Sequence, residues 1–132
     1  MADTVANTTL QNTERRLVVN SVFTIDGTEA TVILVDKSGF TGPDGTEPGR
    51  LVIEKIEWVF DGMKALLAFD HTTDDEIAEL AGVGEIDFTN GGRYQGFVDP
   101  ASAGDTGDII ATTQTTDSGD TGSITLYLRK KD

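Results

Sequence analysis

The stretch Leu51–Asp70, LVIEKIEWVFDGMKALLAFD, constrains the fold most, because it is the densest apolar run and contains the only Trp of the chain. Apolar and charged residues alternate in its first half, as they do on a strand whose side chains point to opposite faces in turn. Asp61-Gly62 separates two apolar runs, which is a strong signal for a tight β-turn. We therefore predict a central hairpin of two long strands that turns at Asp61–Gly62.

The first strand of this hairpin has two faces of unequal bulk. One face carries Val52, Ile56, Trp58 and Phe60 together with Glu54, and the other carries Leu51, Ile53 and Val59. The bulkier face is assigned to the core, with Glu54 near one end. The second strand contains Ala65–Phe69, which is nearly apolar throughout, as expected for a strand covered on both sides or lying at a subunit contact.

Length and composition limit the classes of protein to consider. A chain of 132 residues makes one domain and can bury roughly two-thirds of its unfolded surface. Without cysteine, disulfides, thiolate metal sites and cysteine catalysis are excluded. The net charge of −13 argues against nucleic acid and anionic lipid as partners; it suits a basic partner, or it simply keeps a β-rich chain soluble. The sequence shows no membrane span and no signal peptide.

Further strand signals occur at short, regular spacing on both sides of the central hairpin. Two more hairpins are predicted, one turning at Asp26-Gly27 and one at Asn90-Gly91-Gly92. The strands expected outside the central hairpin are Arg15–Asp26, Glu29–Asp36, Gly84–Thr89, Arg93–Val98, Asp108–Thr113 and Ser123–Lys130, the last with Ile124, Leu126 and Leu128 facing inward. About eight strands joined by Gly/Asp turns predict an all-β fold, an antiparallel β-sandwich or jelly-roll-like domain.

Two segments lack a strand pattern. Residues 1–14 are polar and have no sustained period, so we predict an N-terminal arm that orders only against a neighbour, followed by a single β-sandwich domain over 15–132. Lys37–Arg50 is rich in Gly and Pro and is predicted to be a long loop with a turn at Pro43–Gly45. It is either an ordinary surface loop or one that a partner orders.

One short helix is predicted at about 74–81. Thr73 and Glu76 have the spacing of a capping box, and the acidic residues of the first turn suit the helix dipole. Ile77 and Leu80 fall on one face at helical spacing, and Gly82 is a suitable stop.

Residues able to carry chemistry are scattered. Asp105–Asp108 and Asp117–Asp120 resemble each other and would bind a cation if the fold joined them, but such residues are more often turn formers. His71 is the only histidine, and an exposed or capping role is expected for it. No phosphate loop, nucleophile elbow or selected carboxylate pair is present. We therefore predict that the protein is not an enzyme and has no cofactor, no catalytic residues and no metal ligands.

Two further groups admit alternative interpretations. Trp58, Phe60, Tyr94 and Phe97 would suit a sugar-binding platform, although the core is the favoured place for Trp58. The basic cluster 129–131 either ends the last strand in solvent or pairs with acidic residues of a neighbouring subunit.

Several stretches together resemble a group of small virion proteins of tailed bacteriophages, from marine and cyanobacterial phages. They are VNSVFTIDGTEATVILVDKSGF (19–40), LVIEKIEWVFDGMKALLAFDHT (51–72), GVGEIDFTNGGRY (82–94) and GDTGDIIATTQ with GSITLYLRKK (within 104–131). The matching signatures are strands and turns rather than catalytic motifs.

The resemblance implies a capsid decoration, or cement, protein that bridges and stabilises major capsid subunits. It further implies a place on the capsid surface of the virion after synthesis in the host cytoplasm, and a homo-oligomer, with a trimer favoured. The alternatives are a phage neck or tail component and a carbohydrate-binding β-sandwich module.

Overall fold

The structure is a computed structural model that describes residues 2–71, 73–100 and 107–131. Within these ranges the chain forms eight strands and one 3₁₀ turn. They are β1 (Thr4–Asn12), β2 (Arg16–Thr24), β3 (Thr31–Val35), the 3₁₀ turn (Lys37–Gly39), β4 (Arg50–Phe69), β5 (Asp75–Asp87), β6 (Phe97–Val98), β7 (Ile109–Gln114) and β8 (Thr121–Lys131). No helix in the described ranges has the length and apolarity to cross a bilayer.

The sheet is assembled on β4, which has partners along both edges. The strands follow the order β1-β2-β8-β4-β7-β3, and all their pairings are antiparallel. On one edge of β4, β8 pairs as far as Asp61 and β7 pairs from Lys64 onward. β5 and the short β6 pair with the opposite edge. β4 therefore joins the half of the sheet that contains β8 and β2 to the half that contains β7 and β3.

The outermost strands of this order, β1 and β3, approach each other, so the sheet is nearly a closed barrel. The side-chain amide of Asn7 in β1 donates a hydrogen bond of 2.9 Å to the carbonyl of Ile33 in β3. The amide oxygen of Asn7 accepts one of 2.6 Å from Ser21 in β2. One side chain thus links three strands. The predicted all-β fold of about eight antiparallel strands is confirmed, and the structure shows that the sheet is barrel-like.

The predicted central hairpin is wrong, because β4 runs without a turn through Asp61-Gly62. Gly62 has a φ of 85°, as a turn would require, but here this conformation belongs to a bulge. Residues 60–63 of β4 lie opposite the single residue Gly82 of β5. The Asp-Gly signal indicated the local backbone conformation correctly, but partners on both edges keep the strand extended.

The two other predicted hairpins are also wrong, although their strands lie close to the predicted positions. β2 and β3 follow one another around Gly27, yet β2 pairs with β1 and β8 while β3 pairs with β7. β6 pairs with β4 and not with β5. The turn predicted in the long loop is confirmed by a 3.1 Å hydrogen bond from the Gly45 N–H to the Gly42 carbonyl.

The predicted helix at about 74–81 is wrong, since this segment belongs to β5. Leu80 lies opposite Ala65 of β4 and is buried. A helix ending at Gly82 would have only about two turns and would be marginal in isolation, whereas pairing with β4 satisfies the backbone along the whole segment. The Asp74 carboxylate caps no helix and instead accepts a 3.1 Å hydrogen bond from the backbone N–H of His71 in the β4–β5 turn.

The core fills the interior of this barrel. Its largest fully buried side chains are Phe69, Leu17, Leu34, Leu51, Ile53, Ile56, Leu67, Leu80, Ile109, Ile124, Leu126 and Leu128. The inward positions predicted for β8 are confirmed. The predicted faces of β4 are partly wrong, because a bulge at Glu54 shifts the alternation, so that Leu51 and Ile53 point inward together with Ile56.

Residues 1–14, expected to order only against a neighbour, contain β1, which pairs with β2 along its length. Asp3 precedes this strand and is only 2% exposed. Its carboxylate accepts hydrogen bonds of 3.0 Å from the Asp26 N–H and 2.7 Å from the Thr113 hydroxyl. Burial acts to raise the pKa of Asp3, but hydrogen bonds, led by that from Thr113, outweigh burial and lower the pKa below its ordinary value. Asp3 thus anchors β1 to β7.

We predict that Asp3→Asn lowers the free energy of unfolding by about 1 to 3 kcal/mol near neutral pH, since it weakens hydrogen bonds to a buried carboxylate. Because the pKa of Asp3 is lower in the folded state, its contribution is complete above the unfolded pKa and is lost as the pH falls through the folded pKa. The difference between wild type and variant should therefore shrink in acid. Urea unfolding across this pH range measures it, with the exposed Glu47→Gln as control; parallel profiles for wild type and Asp3→Asn would contradict the anchor.

Candidate interaction surface

The outer face of the sheet carries a row of small, mainly apolar side chains that crosses four neighbouring strands. Strand register places Val22 of β2 beside Ser123 of β8, Ser123 beside Val59 of β4, and Val59 beside Val83 of β5. Directly paired residues point to the same face, with Cβ atoms about 5 Å apart. We call these four residues the valine row.

The three valines are open to solvent, with Val22 49% exposed, Val59 55% and Val83 76%. Scattered apolar residues on a surface are normal, whereas contiguous ones mark interaction sites. Polar residues flank the row on the same face, namely Asn20, Thr125, Glu57 and Glu85 on one side and Thr24, Thr121 and Asp61 on the other. An apolar centre with a polar rim is typical of protein–protein interfaces.

The lysines beside the valine row are paired with acidic residues of β5. Lys55 Nζ lies 3.3 Å from Glu85, and Lys64 Nζ lies 3.6 Å from Glu79. The hydrogen bond with Glu85 raises the pKa of Lys55. Exposed ion pairs contribute little to stability, but these two offset part of the negative charge around the row, so a partner approaching it meets a less acidic rim than the net charge suggests.

A shallow depression of about 390 Å³ lies at the β4–β5 end of the valine row, with Val59 and Val83 in its lining. Trp58 also lines it, and its Nε1 donates a 2.9 Å hydrogen bond to the carbonyl of Ala81. Gly84 faces Trp58 across the strand pair, and a Cβ atom there would lie 2.9 Å from Cζ2 of the indole. Gly84 thus leaves room for the indole ring, and the hydrogen bond from Trp58 to Ala81 holds the ring in place.

A larger groove of about 580 Å³ opens between β4, β8 and the segment that follows β5. Its positive groups have partners within the chain: Arg16 forms an ion pair with Glu54, and Arg129 Nη2 donates a 3.1 Å hydrogen bond to the Gln95 carbonyl. The hydrogen bond with Glu57 raises the pKa of Tyr127, another residue of this groove. Both arginines are thus engaged within the chain, Arg16 by a carboxylate and Arg129 by a backbone carbonyl, which makes the groove a weaker candidate for binding than the valine row.

The four aromatic residues considered as a sugar platform do not share one surface. Phe60 is buried, and Phe97 packs against Phe69 with ring centroids 5.9 Å apart. Trp58 lines the depression, whereas Tyr94 lines the separate groove. The platform interpretation is therefore wrong for this set of residues.

The aspartate pairs considered for calcium are not brought together as one described site. Asp105 lies outside the described residues, and Asp108 accepts a 2.9 Å hydrogen bond from the backbone N–H of Lys37. The Asp120 carboxylate accepts a 2.8 Å hydrogen bond from the Asp117 N–H within the turn between β7 and β8. Asp117 and Asp120 thus act as turn formers, the alternative given above.

The basic cluster at 129–131 does not simply end in solvent, because Lys130 is 2% exposed. Its ammonium group donates hydrogen bonds to the Asn12 side chain at 2.5 Å and to the carbonyls of Thr13 at 2.7 Å and Thr41 at 2.8 Å. Burial lowers the pKa of Lys130. One side chain of β8 therefore holds both the end of β1 and the long loop, while Lys131 is exposed.

His71 is buried rather than exposed, and it lies in the turn between β4 and β5. Its Nε2 is 2.5 Å from Oδ1 of Asp99, which follows β6, and 3.4 Å from Oδ2 of Asp75, the first residue of β5. An imidazole nitrogen and carboxylate oxygens are ligands suited to metal ions. No metal ligands were predicted from the sequence, because His71 and Asp99 are 28 positions apart and spacing alone does not show this cluster.

The valine row could be predicted only in part. Alternation along the strands places Val59 on the face of β4 away from Trp58 and Phe60, and Val22 on the face of β2 away from Phe23. Their alignment into one row depends on the register between strands that are distant in sequence. Val83 lies on β5, and the helix predicted for the first part of this strand gave no reason to expect Val83 beside β4.

Comparison with known proteins adds no family to this geometry. The chain matches none of the protein-family models and none of the curated proteins with which it was compared. A functional assignment therefore depends on the surfaces described above.

We predict that Lys130→Met lowers the free energy of unfolding by about 1 to 3 kcal/mol, because the three hydrogen bonds that the ammonium group donates are lost. The pKa of Lys130 is lower in the folded state, so the unfolded chain binds more protons between the folded pKa and the ordinary lysine pKa, and in that window the stability of the wild type rises with pH relative to the variant. Urea unfolding near pH 7 and near pH 9.5 measures both effects. The exposed Lys131→Met is the control, and a wild-type midpoint for Lys130→Met would contradict the prediction.

Proposed function

We propose that this protein is a structural component of a bacteriophage virion, a capsid decoration (cement) protein that binds across neighbouring major capsid subunits. The observation that carries the proposal is the valine row, an exposed apolar strip on a strongly acidic β domain. The resemblance of the strand and turn segments to small virion proteins of tailed phages supports the choice of a capsid over other partners.

The construction of the surface suits a mechanical role. The valine row crosses β2, β8, β4 and β5, so a load on it is distributed over backbone hydrogen bonds of four strands. Each square ångström of apolar surface covered contributes roughly 25 cal/mol, and a symmetric shell repeats that contribution at every equivalent position. Binding only to the assembled shell stabilises it by mass action.

The edge of β5 bears on how copies of the protein would associate. Within the described part of the chain, β5 pairs with β4 alone and leaves its other edge open. β5 contains five acidic residues and no basic one. Antiparallel pairing of two such edges would bring like charges together, which is destabilising. The proposed homo-oligomer, with a trimer favoured, would therefore form through other surfaces, and its partner remains the major capsid protein.

We predict that Val83→Lys weakens binding to capsids that lack the protein, because it places a charge at the β5 end of the apolar strip, on its most exposed valine. Val83 is 76% exposed, so the substitution should leave the fold intact. Co-sedimentation at two ionic strengths measures the binding. The wild type should bind saturably, in a fixed ratio to the major capsid subunit, and should raise the melting temperature of the shell.

Leu10→Lys is the matched control, since Leu10 is 60% exposed and lies outside the valine row. It should bind as the wild type does. Equal loss of binding in both variants would indicate a charge effect and not a specific surface. Failure of the wild type to bind capsids would overturn the decoration role and would direct the test to purified necks and tails.

A further inference from the structure

The ring nitrogen Nε2 of His71 faces two carboxylates at once. It lies 2.5 Å from Asp99 and 3.4 Å from Asp75. A neutral or protonated imidazole carries at most one hydrogen on this nitrogen, which can point at only one acceptor. The distance to Asp99 is that of a short hydrogen bond, whereas the distance to Asp75 exceeds the normal range. A single proton therefore satisfies one of the two carboxylates.

The carboxylate oxygen left over belongs to Asp75. Its Oδ2 is buried and has no hydrogen-bond donor in the described part of the chain, although the side chain as a whole is 36% exposed. Burying a carboxylate oxygen without a compensating donor is costly. A group with more positive charge than one shared proton would remove that cost.

We propose that His71, Asp75 and Asp99 bind a divalent transition-metal cation, with Zn²⁺ as the ion that the donor set suits best. The ligand atoms are Nε2 of His71, Oδ2 of Asp75 and Oδ1 of Asp99, which lie within 4.8 Å of one another. The proposal is independent of the capsid role and rests on this cluster alone.

The distances fit a tetrahedral ion after a small adjustment. Zinc binds imidazole nitrogen and carboxylate oxygen at about 2.0 to 2.2 Å, which places neighbouring ligand atoms about 3.4 Å apart. His71 Nε2 and Asp75 Oδ2 already have this separation, at 3.4 Å. Asp99 must withdraw by about 1 Å, as expected when an ion of this size replaces a shared proton. Because the side chain of Asp75 is 36% exposed, solvent reaches the site there, and a water molecule would take the fourth position.

The donor set selects against the commoner hard cations. Calcium takes six to eight oxygen ligands, and magnesium demands an octahedron and keeps several waters. An imidazole combined with two carboxylates suits zinc, and after it cobalt, nickel or manganese. The chain has no cysteine, so no thiolate competes for the ion elsewhere.

Backbone hydrogen bonds hold the three ligands in place. The N–H of Asp70 donates to the Asp108 carbonyl at 2.8 Å, which fixes the chain immediately before His71. The N–H of Asp99 donates to the Leu51 carbonyl at 3.3 Å, and Asp75 pairs with Phe69 at the start of β5. A bound cation would therefore cross-link the β4–β5 turn to the segment that follows β6.

The test is a calorimetric titration of the EDTA-treated protein of 132 residues with ZnCl₂ in a buffer that does not chelate metal. Wild type should bind one ion per chain and melt at a higher temperature when loaded. Asp75→Asn should weaken binding by at least about tenfold, the loss that removal of even an outer-shell partner can cause. Glu79→Gln, on the same strand and exposed, is the matched control and should bind as the wild type does.

Nitrogen NMR of the imidazole gives a second measurement, which is unambiguous because His71 is the only histidine. Zinc should give Nε2 the chemical shift of a metal-bound nitrogen and leave Nδ1 as the protonated one. Thermal melts without zinc establish that Asp75→Asn is folded, and Asp99→Asn removes a second ligand. Absence of binding by the wild type, equal affinity in wild type, Asp75→Asn and Glu79→Gln, or an Nδ1 with the chemical shift of the metal-bound nitrogen would each overturn the proposal.

Discussion

Hydrogen-bond ladders along both edges of β4 hold the two halves of the sheet together. β8 and β7 occupy consecutive parts of one edge of β4. β5 pairs with the opposite edge on both sides of the bulge at Gly62. A strand of 20 residues could not stay flat and still enclose a core. The bulge at Gly62 supplies the necessary change of direction without ending the strand. The closed arrangement, the core and the surfaces on β4 and β5 all depend on this one continuous strand.

Polar side chains add contacts between segments that the backbone ladders do not join. Asp3 holds the start of β1 against β7, Asn7 links β1 to β3, and Lys130 holds the end of β1 and the long loop against β8. Each is buried or bridges strands that the sheet order does not join directly. Satisfied polar groups of this kind favour one arrangement over its competitors, because any slip in register leaves them without partners.

The sequence predicted the fold class and most strand positions but not the pairings. In β8, strict alternation of Ile124, Leu126 and Leu128 sufficed, since that pattern has one interpretation. At Asp61-Gly62 a tight turn was predicted and a bulge is observed; both need the same glycine, and the choice between them depends on partners distant in sequence.

The candidate surfaces were harder to predict. Ile77 and Leu80 are three residues apart, which fits one face of a helix but opposite faces of a regular strand. In β5 the register shifts at Ile77, so that both side chains pack toward the core. The helix that was predicted ended before Val83, whose place on β5 was therefore not expected. The polar pattern of residues 1–14 gave no sign of β1, because its stability comes from Asp3, Asn7 and the neighbouring strand rather than from apolar alternation. The His71 cluster depends in the same way on contacts between distant segments.

Cross-strand nuclear Overhauser effects in solution test the continuity of β4 most directly. The account predicts contacts from β4 to Thr121 at Asp61, to Gln114 at Lys64 and to Val83 at Val59. A hairpin that turns at Asp61-Gly62 would instead bring Trp58 next to Ala65. Contacts between Trp58 and Ala65, without those to β7 and β8, would contradict the account.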